Sequence, residues 1–199
     1  VGERRDSIHD WEGPNFGKLL AIRHAIDPLK NPDLVEKFLA GIPKELAESL
    51  IIGWFLRLQS FIPYEIHNDY GYLEFKEDEA PFYVFIVPFE TVDSKTISFN
   101  QASQMLHFID YKNTVDPLPT DQQLSEEEYS RYFSHCWPQE RPYISIDSIF
   151  DWKAGSLYAF DVQRWHASNN YLLNGVTEKN AIIMTTKIKK QDREKFIRR

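Results

Sequence analysis

A run of six apolar residues, Phe82-Tyr83-Val84-Phe85-Ile86-Val87, decides the fold class of this chain. Such a run is typical of a β-strand that is covered on both faces. It belongs to a series of short segments that are rich in aromatic and β-branched residues, and most of them are bounded by Pro, Gly, Asn or Asp. The predicted strands are Tyr64–Phe75, Phe82–Phe89, Lys95–Phe99, Tyr143–Ile149, Ser156–Asp161 and Asn180–Ile188.

Helical patterns occur before these strands. Apolar residues recur every three to four positions from Asp33 to Ala40 and from Lys44 to Phe55, and Pro32 and Pro43 are suitable first residues. Successive strands without intervening helices indicate an antiparallel sandwich or barrel, with the early helices packed outside it. The sequence therefore predicts a mainly β fold, a sandwich with flanking N-terminal α-helices.

One domain is predicted over residues 1–199, because the sequence has no repeat and its length suits a single hydrophobic core. Residues 1–60 are expected to form the helical flank and residues 61–188 the β core. Periodicity is weak in an insertion near residues 102–142, which is either a functional covering or a partly disordered surface loop. Residues 189–199 are read as a basic tail.

The charge distribution limits the kind of partner. The net charge is −7, from 23 Lys and Arg against 30 Asp and Glu, and the segment Lys187–Arg199 is basic, so the body is more acidic still. An acidic body argues against nucleic acid as the partner. No apolar run approaches the ~18 residues that a membrane span needs. We expect a small-molecule substrate, no nucleic acid, no membrane, and a monomer or homodimer.

The cysteine content and the missing motifs narrow the chemistry. The single cysteine, Cys136, cannot form an internal disulfide, which predicts a reducing, cytoplasmic location. The sequence lacks the phosphate-binding glycine loops, the GxSxG nucleophile elbow and the HExxH zinc helix. Cys136 and His135 are adjacent and are expected to point apart, which makes Cys136 a poor candidate for a nucleophile. Histidines and carboxylates remain as candidates.

One histidine–carboxylate pattern can hold a metal. In an extended His67-Asn68-Asp69 segment, the period of two places His67 and Asp69 on one face. His166, at the end of a later predicted strand, would complete a 2-His-1-carboxylate triad, the pattern of Fe(II) oxygenases. Lys179 opens the last strand, where a cation needs an anionic partner unless it lies in solvent.

The order of these motifs resembles that of the Fe(II)/2-oxoglutarate-dependent oxygenases. It consists of H-x-D, then Gly155-Ser156-Leu157-x-x-Phe160-Asp161, then the distal histidine, then a basic residue that opens a final strand. The most specific parts are Phe150–Ser156 and Trp165–Asn170, and the likeness extends from Tyr64 to Lys187. The resemblance implies a double-stranded β-helix (jelly-roll) fold, as in small single-domain hydroxylase-like members.

The resemblance also implies roles for particular residues. His67, Asp69 and His166 would bind Fe(II), and Lys179 would pair with the distal carboxylate of the co-substrate 2-oxoglutarate. Many family members have Arg at that position, so Arg164 is an alternative partner. A carboxylate at Asp69 argues against halogenation, since halogenating members have a small residue there.

Other side chains are candidates for lining the pocket. Tyr64 and Tyr72 have hydroxyls that could reach 2-oxoglutarate, and Gln101 could contact co-substrate or substrate. Tyr70, Phe85 and Tyr158 are either pocket walls or ordinary core. The insertion is expected to cover the pocket mouth and to contact substrate through Trp137 and Arg141.

The sequence thus predicts an Fe(II)- and 2-oxoglutarate-dependent dioxygenase that uses O2 to hydroxylate a C–H bond of a small molecule and converts 2-oxoglutarate to succinate. Desaturation and ring formation use the same triad. Two other classes stay open. One is a cupin-like metal enzyme without 2-oxoglutarate, although such sites need more His and Gly than the 6 His and 8 Gly present. The other is a metal-free jelly-roll binding module.

Overall fold

The computed structural model describes residues 4–8, 17–105 and 107–197, except for the side chains of Tyr72 and Ile197. Within these ranges the strands are β1 (Arg4–Ile8), β2 (Leu19–Ala25), β3 (Leu50–Ser60), β4 (Glu79–Pro88), β5 (Lys95–Ala102), β6 (Ile146–Asp151), β7 (Tyr158–Asp161), β8 (Arg164–Ser168) and β9 (Lys179–Lys189). The α-helices are α1 (Pro32–Leu39), α2 (Lys44–Ala47), α3 (Phe108–Lys112), α4 (Glu126–Phe133) and α5 (Lys190–Ile197). In the described residues no helix has the length and apolar character needed to cross a membrane.

The strands form two antiparallel sheets, in agreement with the predicted mainly β fold. The large sheet has the order β1-β2-β3-β9-β4-β7, and the small sheet has the order β6-β5-β8. The apolar run at residues 82–87 lies in β4, between β9 and β7. Val84, Phe85 and Ile86 are all buried, although successive residues point to opposite faces. The prediction that both faces of this strand are covered is confirmed.

The two faces of the large sheet have different neighbours. On one face, Phe55, Phe85 and Met184 pack with Phe38 of α1. The Phe38 ring meets the rings of Phe55 and Phe85 edge to face, with centroids 5.7 and 6.4 Å apart. On the opposite face, alternate residues of β3, β4 and β9 line an internal cavity, among them Leu56, Ile86 and Thr185. The large sheet therefore supplies one wall of this cavity.

The small sheet has one apolar and one polar face. Ile97 and Phe99 of β5 and Trp165 of β8 pack with Phe108 of α3 and Phe133 of α4. The alternate residues of the same two strands line the internal cavity and carry polar groups, namely Thr96, His166 and Ser168. A polar inner face in a sandwich is costly unless its groups are bonded, so it marks a binding site rather than ordinary core.

The predicted helix from Lys44 to Phe55 is wrong beyond Ala47. The residues that follow form β3, which pairs with β9 over nearly its whole length and with β2 on its other side. This sheet pairing overrides the helical spacing of the apolar residues, many of which are β-branched or aromatic. Because β1, β2 and β3 all lie in the first 60 residues, the described part of residues 1–60 is not the helical flank that the sequence predicts.

Two other segments also differ from their predicted structure. Residues 64–75 do not form a strand, since the chain makes only an isolated bridge at His67 and then a 3-10 turn at Tyr70–Tyr72. The insertion near residues 102–142 contains α3, α4 and a 3-10 helix at Pro138–Tyr143. It is therefore an ordered covering of the small sheet over its described residues.

A close contact at Gly53 gives a testable prediction for the sandwich. Gly53 lies at a bulge of β3, and a Cβ atom there would be 2.4 Å from Leu73 Cδ2 and 3.2 Å from the main-chain O of Thr185. We expect Gly53→Ala to lower the free energy of unfolding by about 1–3 kcal/mol, since overpacking a tight site has this cost. Denaturant unfolding measures it. Gly41→Ala, whose Cβ would come no closer than 3.3 Å to Leu157, is the control, and equal stability of both variants would contradict the prediction.

Candidate metal centre

His67, Asp69 and His166 come together beside β8, the edge strand of the small sheet. One potential ligand atom from each residue lies within 4.8 Å of the other two. Asp69 Oδ2 is 3.6 Å from His166 Nε2, and the two imidazole ring centroids are 4.2 Å apart. The structure thus brings together the three residues that the sequence proposes as metal ligands.

Backbone hydrogen bonds place these residues although they lie far apart in sequence. His67 N donates to His166 O at 3.0 Å, and His166 N donates to His67 O at 2.8 Å, which forms a bridge between the 64–75 segment and β8. Asp69 N donates to Val162 O at 3.2 Å. The argument from strand period therefore predicts the right neighbours, but a bridge and a turn, rather than a strand, bring them together.

Both histidines present Nε2 for coordination. His67 Nδ1 lies 2.7 Å from Glu65 O, and His166 Nδ1 lies 3.1 Å from Arg164 O. A carbonyl oxygen only accepts hydrogen bonds, so each Nδ1 carries the proton and each Nε2 has a free lone pair. Hydrogen bonds of this kind orient imidazole ligands in metal sites.

The electrostatic environment keeps the imidazoles neutral. Burial, followed by the neighbouring His166, lowers the pKa of His67 to about 4. Burial also lowers the pKa of His166 to about 4. The pKa of Asp69 is raised, again by burial. Neutral imidazoles are the form that binds metals, so these two are ready for coordination at neutral pH.

The internal cavity extends from this triad into the sandwich. Its volume is about 80 Å³, and all three triad residues line it together with Ser168 and Lys179. Apolar side chains of the large sheet, such as Val84, supply most of the remaining wall. Ser168 lies two residues beyond His166 on the same face of β8, which corresponds to about 7 Å along a strand. The cavity therefore connects the triad to the lysine.

Lys179 is a buried cation without a carboxylate partner among the described residues. It is 3% exposed, and its Nζ donates to Ser168 Oγ at 2.8 Å and to Ser94 Oγ at 3.3 Å. The ammonium also lies 4.2 Å from the ring centroid of Trp152 and 4.9 Å from that of Tyr171. Burial lowers the pKa of Lys179 to about 7. A buried cation in this state is stabilised by an anionic ligand in the adjacent cavity.

Arg164 and Gln101 are engaged elsewhere. Arg164 Nη1 lies 3.0 Å from Asp147 Oδ2 and donates to Phe99 O at 3.2 Å. Gln101 Oε1 accepts from Ser145 N at 2.9 Å. Neither residue lines the internal cavity. Of the two basic candidates for a carboxylate partner, the structure thus places Lys179, and not Arg164, at the cavity.

The aromatic candidates occupy different places. Tyr64 lines the cavity, and its ring centroid is 5.2 Å from that of His67. Tyr72 lies in the 3-10 turn, but its side chain is outside the described part of the chain.

The other aromatic candidates lie away from the triad. Phe85 faces α1 on the far side of the large sheet, and the hydroxyl of Tyr158 donates to Asp151 O. Phe85 and Tyr158 therefore belong to the core, which is one of the two roles that the sequence leaves open for them. Tyr70 stacks on Phe75, with centroids 5.4 Å apart.

Sequence reasoning misses Arg23 and Ser168. Arg23 of β2 donates from Nη2 to Tyr64 Oη at 2.9 Å and from Nη1 to Ser7 Oγ at 2.6 Å, and it lines the cavity. Nothing in the pattern of the first 60 residues singles it out, because β2 is not recognisable there. Ser168 could be found, since it follows His166 by two residues in a predicted extended segment.

A larger cleft lies on the other side of His67. Its volume is about 860 Å³, and the insertion supplies much of its wall. Trp137, which is 48% exposed, lines this cleft, whereas Arg141 donates to Leu124 O at 2.7 Å within the insertion. Arg23, Tyr64 and His67 line both the cleft and the internal cavity. The candidate metal centre therefore stands between a small buried cavity and a wide cleft.

The donor set fits a divalent first-row metal. Two neutral imidazoles and one carboxylate make up the facial 2-His-1-carboxylate set that binds Fe(II) and leaves coordination positions open. The two volumes on either side of His67 provide space for ligands at those positions. The site therefore has the composition of a 2-His-1-carboxylate metal site.

Comparison with known proteins supports the fold. No family model and no curated protein matches the sequence. The chain is similar to the crystal structure of SnoN, a non-heme alpha-ketoglutarate-dependent epimerase from nogalamycin biosynthesis, with a TM-score of 0.51 and 10% identity over 93% of this chain and 67% of that one. This likeness shows that the chain has a fold like that of SnoN.

Two more distant matches have lower scores. SnoN in complex with Fe3+, alpha-ketoglutarate and nogalamycin RO matches with a TM-score of 0.47 and 14% identity over 86% of this chain and 64% of that one. EvdMO1 matches with a TM-score of 0.43 and 13% identity over 94% of this chain and 38% of that one. The chain thus spans about two thirds of the SnoN structures and less of EvdMO1.

Proposed function

We propose that this protein is an Fe(II)- and 2-oxoglutarate-dependent dioxygenase that hydroxylates a C–H bond of a small molecule. The observation that carries the proposal is that the His67, Asp69 and His166 cluster lines one cavity together with buried Lys179, which forms no ion pair among the described residues. The triad alone would suit many metal enzymes. The lysine adds a site for a carboxylate, which a dicarboxylate co-substrate on the metal would supply.

Each residue of the site has a task in this proposal. Iron(II) with 2-oxoglutarate supplies the oxidation of a C–H bond by O2, with release of CO2 and succinate. His67 and His166 present Nε2 and Asp69 a carboxylate oxygen to the metal. Lys179, oriented by Ser168, holds the distal carboxylate of the co-substrate. The apolar wall of the large sheet excludes water, and we infer that the two sheets have the jelly-roll arrangement.

The outer cleft has the properties of the substrate site. Its volume of about 860 Å³ lies within the range of small-molecule pockets, and it reaches the triad at His67. Substrate specificity would therefore depend on the insertion. A small substrate and O2, rather than nucleic acid, agree with the net charge of −7.

Three other functions can be distinguished from the proposed dioxygenase activity. A cupin-like enzyme would bind the metal without 2-oxoglutarate, and a binding module would bind ligands without metal. Buried Lys179 favours the dioxygenase over the first, and the neutral, Nε2-presenting histidines favour it over the second. Epimerisation, the reaction named for SnoN, would use the same centre but leave the mass of the substrate unchanged.

Metal and co-substrate binding test the proposal directly. Anaerobic addition of Fe(II) and 2-oxoglutarate together is expected to produce a weak visible charge-transfer band that neither component gives alone. With O2 and substrate, succinate is expected to form together with a product that is heavier by one oxygen atom. Metal binding without any effect of 2-oxoglutarate would instead favour the cupin-like enzyme. A product of unchanged mass would favour epimerisation.

A further inference from the structure

The outer cleft contains an acidic residue that neither the fold nor the metal centre explains. Glu140 lies in the 3-10 helix Pro138–Tyr143, is 9% exposed and lines the cleft. Its Oε2 has no hydrogen-bond partner among the described residues. The Tyr129 hydroxyl donates to Trp137 O at 2.6 Å, and it and the backbone of Trp137 also hydrogen-bond the Glu140 carboxyl group, which lowers the pKa of that group against the effect of burial. A buried carboxylate oxygen without a donor costs stability, so a ligand that supplies one would be bound favourably.

The surrounding charges favour a cationic donor at Glu140. Burial and then the Glu65 carboxylate, which lines the same cleft, raise the pKa of Glu140 to about 8. Lys112 also lines the cleft, but its opposing effect on Glu140 is smaller than that of Glu65. Two carboxylates that repel each other are both stabilised by a cation placed near them. The remaining charged or titratable cleft residues are Arg23, Tyr64 and His67, on the wall shared with the internal cavity, and His107.

The apolar lining of the cleft indicates what the cation is attached to. Phe108, Ile109 and Trp137 line the cleft near the insertion, and Ile109 and Trp137 are exposed there. Apolar walls bury the carbon skeleton of a ligand, and a few placed polar groups fix its orientation. A carbon chain that ends in a positively charged nitrogen would use both features.

We propose that the substrate carries an aliphatic ammonium group and that Glu140 binds this group. The inference rests on the proposed function, because that function identifies the outer cleft as the substrate site. The ammonium would donate to the carboxylate of Glu140 once the side chain turns its enclosed Oε2 towards the cleft, and the attached carbon chain would extend along Phe108 and Trp137 towards His67. In this arrangement Glu140 selects the substrate and does not contact the reacting atoms.

Calorimetric titration of the metal-free protein, without 2-oxoglutarate, tests the inference. The probes are hexylammonium chloride and 1-hexanol, which share a six-carbon chain and differ in charge. At pH 9, where Glu140 is mostly ionised and an aliphatic ammonium is still protonated, we expect the wild-type protein to bind hexylammonium at least about tenfold more tightly, since hydrogen bonds to charged groups contribute about 1.5–3 kcal/mol. Glu140→Gln is expected to remove this preference. Glu127→Gln is the matched control, because Glu127 is exposed in α4 and outside the cleft lining.

The outcomes separate this inference from the proposed function. Equal binding of the two probes to the wild-type protein would overturn the inference, and that comparison needs no variant to fold. A preference that survives Glu140→Gln would also overturn it. Neither result would affect the charge-transfer and succinate experiments, which need the metal and 2-oxoglutarate. Conversely, a protein that prefers hexylammonium but forms no charge-transfer band would retain the ammonium site and lose the dioxygenase assignment.

Discussion

Replacement of His166 by alanine is expected to abolish the charge-transfer band and to lower 2-oxoglutarate-dependent succinate release by more than about 100-fold. Even changes in the outer-shell partners of metal ligands typically cost 10–100-fold in affinity or activity, and His166 is proposed as a ligand itself. It is 5% exposed, and its Nε2 faces Asp69 across 3.6 Å. His67→Ala is expected to have an effect of similar size, because the same metal would lose one of its two nitrogen ligands.

The control for these variants is His24→Ala. His24 lies in β2 but lines neither the internal cavity nor the outer cleft, so its removal should leave the band and succinate release nearly unchanged. Circular dichroism and the thermal midpoint of each variant show whether the sandwich is retained. If His166→Ala and His67→Ala were folded and still formed succinate at the wild-type rate, the metal centre would lie elsewhere.

The triad could be predicted because its geometry depends on short-range spacing and on the order of motifs. His67 and Asp69 are two residues apart, and His166 ends a segment bounded by recognisable turns. The pairing that joins them is a long-range bridge of main-chain atoms between His67 and His166, which no single-sequence pattern shows. The residues of the site were thus accessible from the sequence, whereas the bridge and turn that hold them were not.

The main error of the sequence reasoning concerned β3. The apolar residues Leu46, Leu50 and Trp54 follow helical spacing, but the segment from Leu50 onward also consists largely of β-branched and aromatic residues. Pairing with β2 and β9 on its two edges decides between these possibilities, and both partners are distant in sequence. The same error hides Arg23, because its role at the cavity follows from the position of β2 next to β3.

The second prediction with a large expected effect concerns Lys179. Substitution Lys179→Met is expected to weaken 2-oxoglutarate binding by about 10²- to 10⁴-fold, since loss of one partner from a buried ion pair costs about 3–5 kcal/mol. Titration of the charge-transfer band with 2-oxoglutarate measures this change. Lys189→Met is the matched control, because Lys189 lies on the same strand but is partly exposed and pairs with Asp78. Unchanged affinity of Lys179→Met would move the carboxylate to another partner.

The same substitution has an opposite expected effect on the ligand-free protein. Methionine is of similar length and carries no charge, so replacement of an uncompensated buried cation should leave stability unchanged or raise it. The pKa of Lys179 is about 7 in the folded protein and about 10.4 in an unfolded chain, so the unfolded state binds more protons between these values. The free energy of unfolding should therefore rise with pH from about 7 to about 10, and it should rise less in Lys179→Met.

The pH dependence also distinguishes a ligand-binding lysine from a merely structural one. An ammonium that holds a carboxylate must be protonated, so the affinity of the wild-type protein for 2-oxoglutarate should fall as the pH rises above about 7. In Lys179→Arg the guanidinium stays charged, and the affinity should lose this dependence. If the wild-type affinity did not change between pH 7 and pH 9, Lys179 would not be the group that binds the distal carboxylate. Its contacts with the rings of Trp152 and Tyr171 would then be packing contacts without a role in ligand binding.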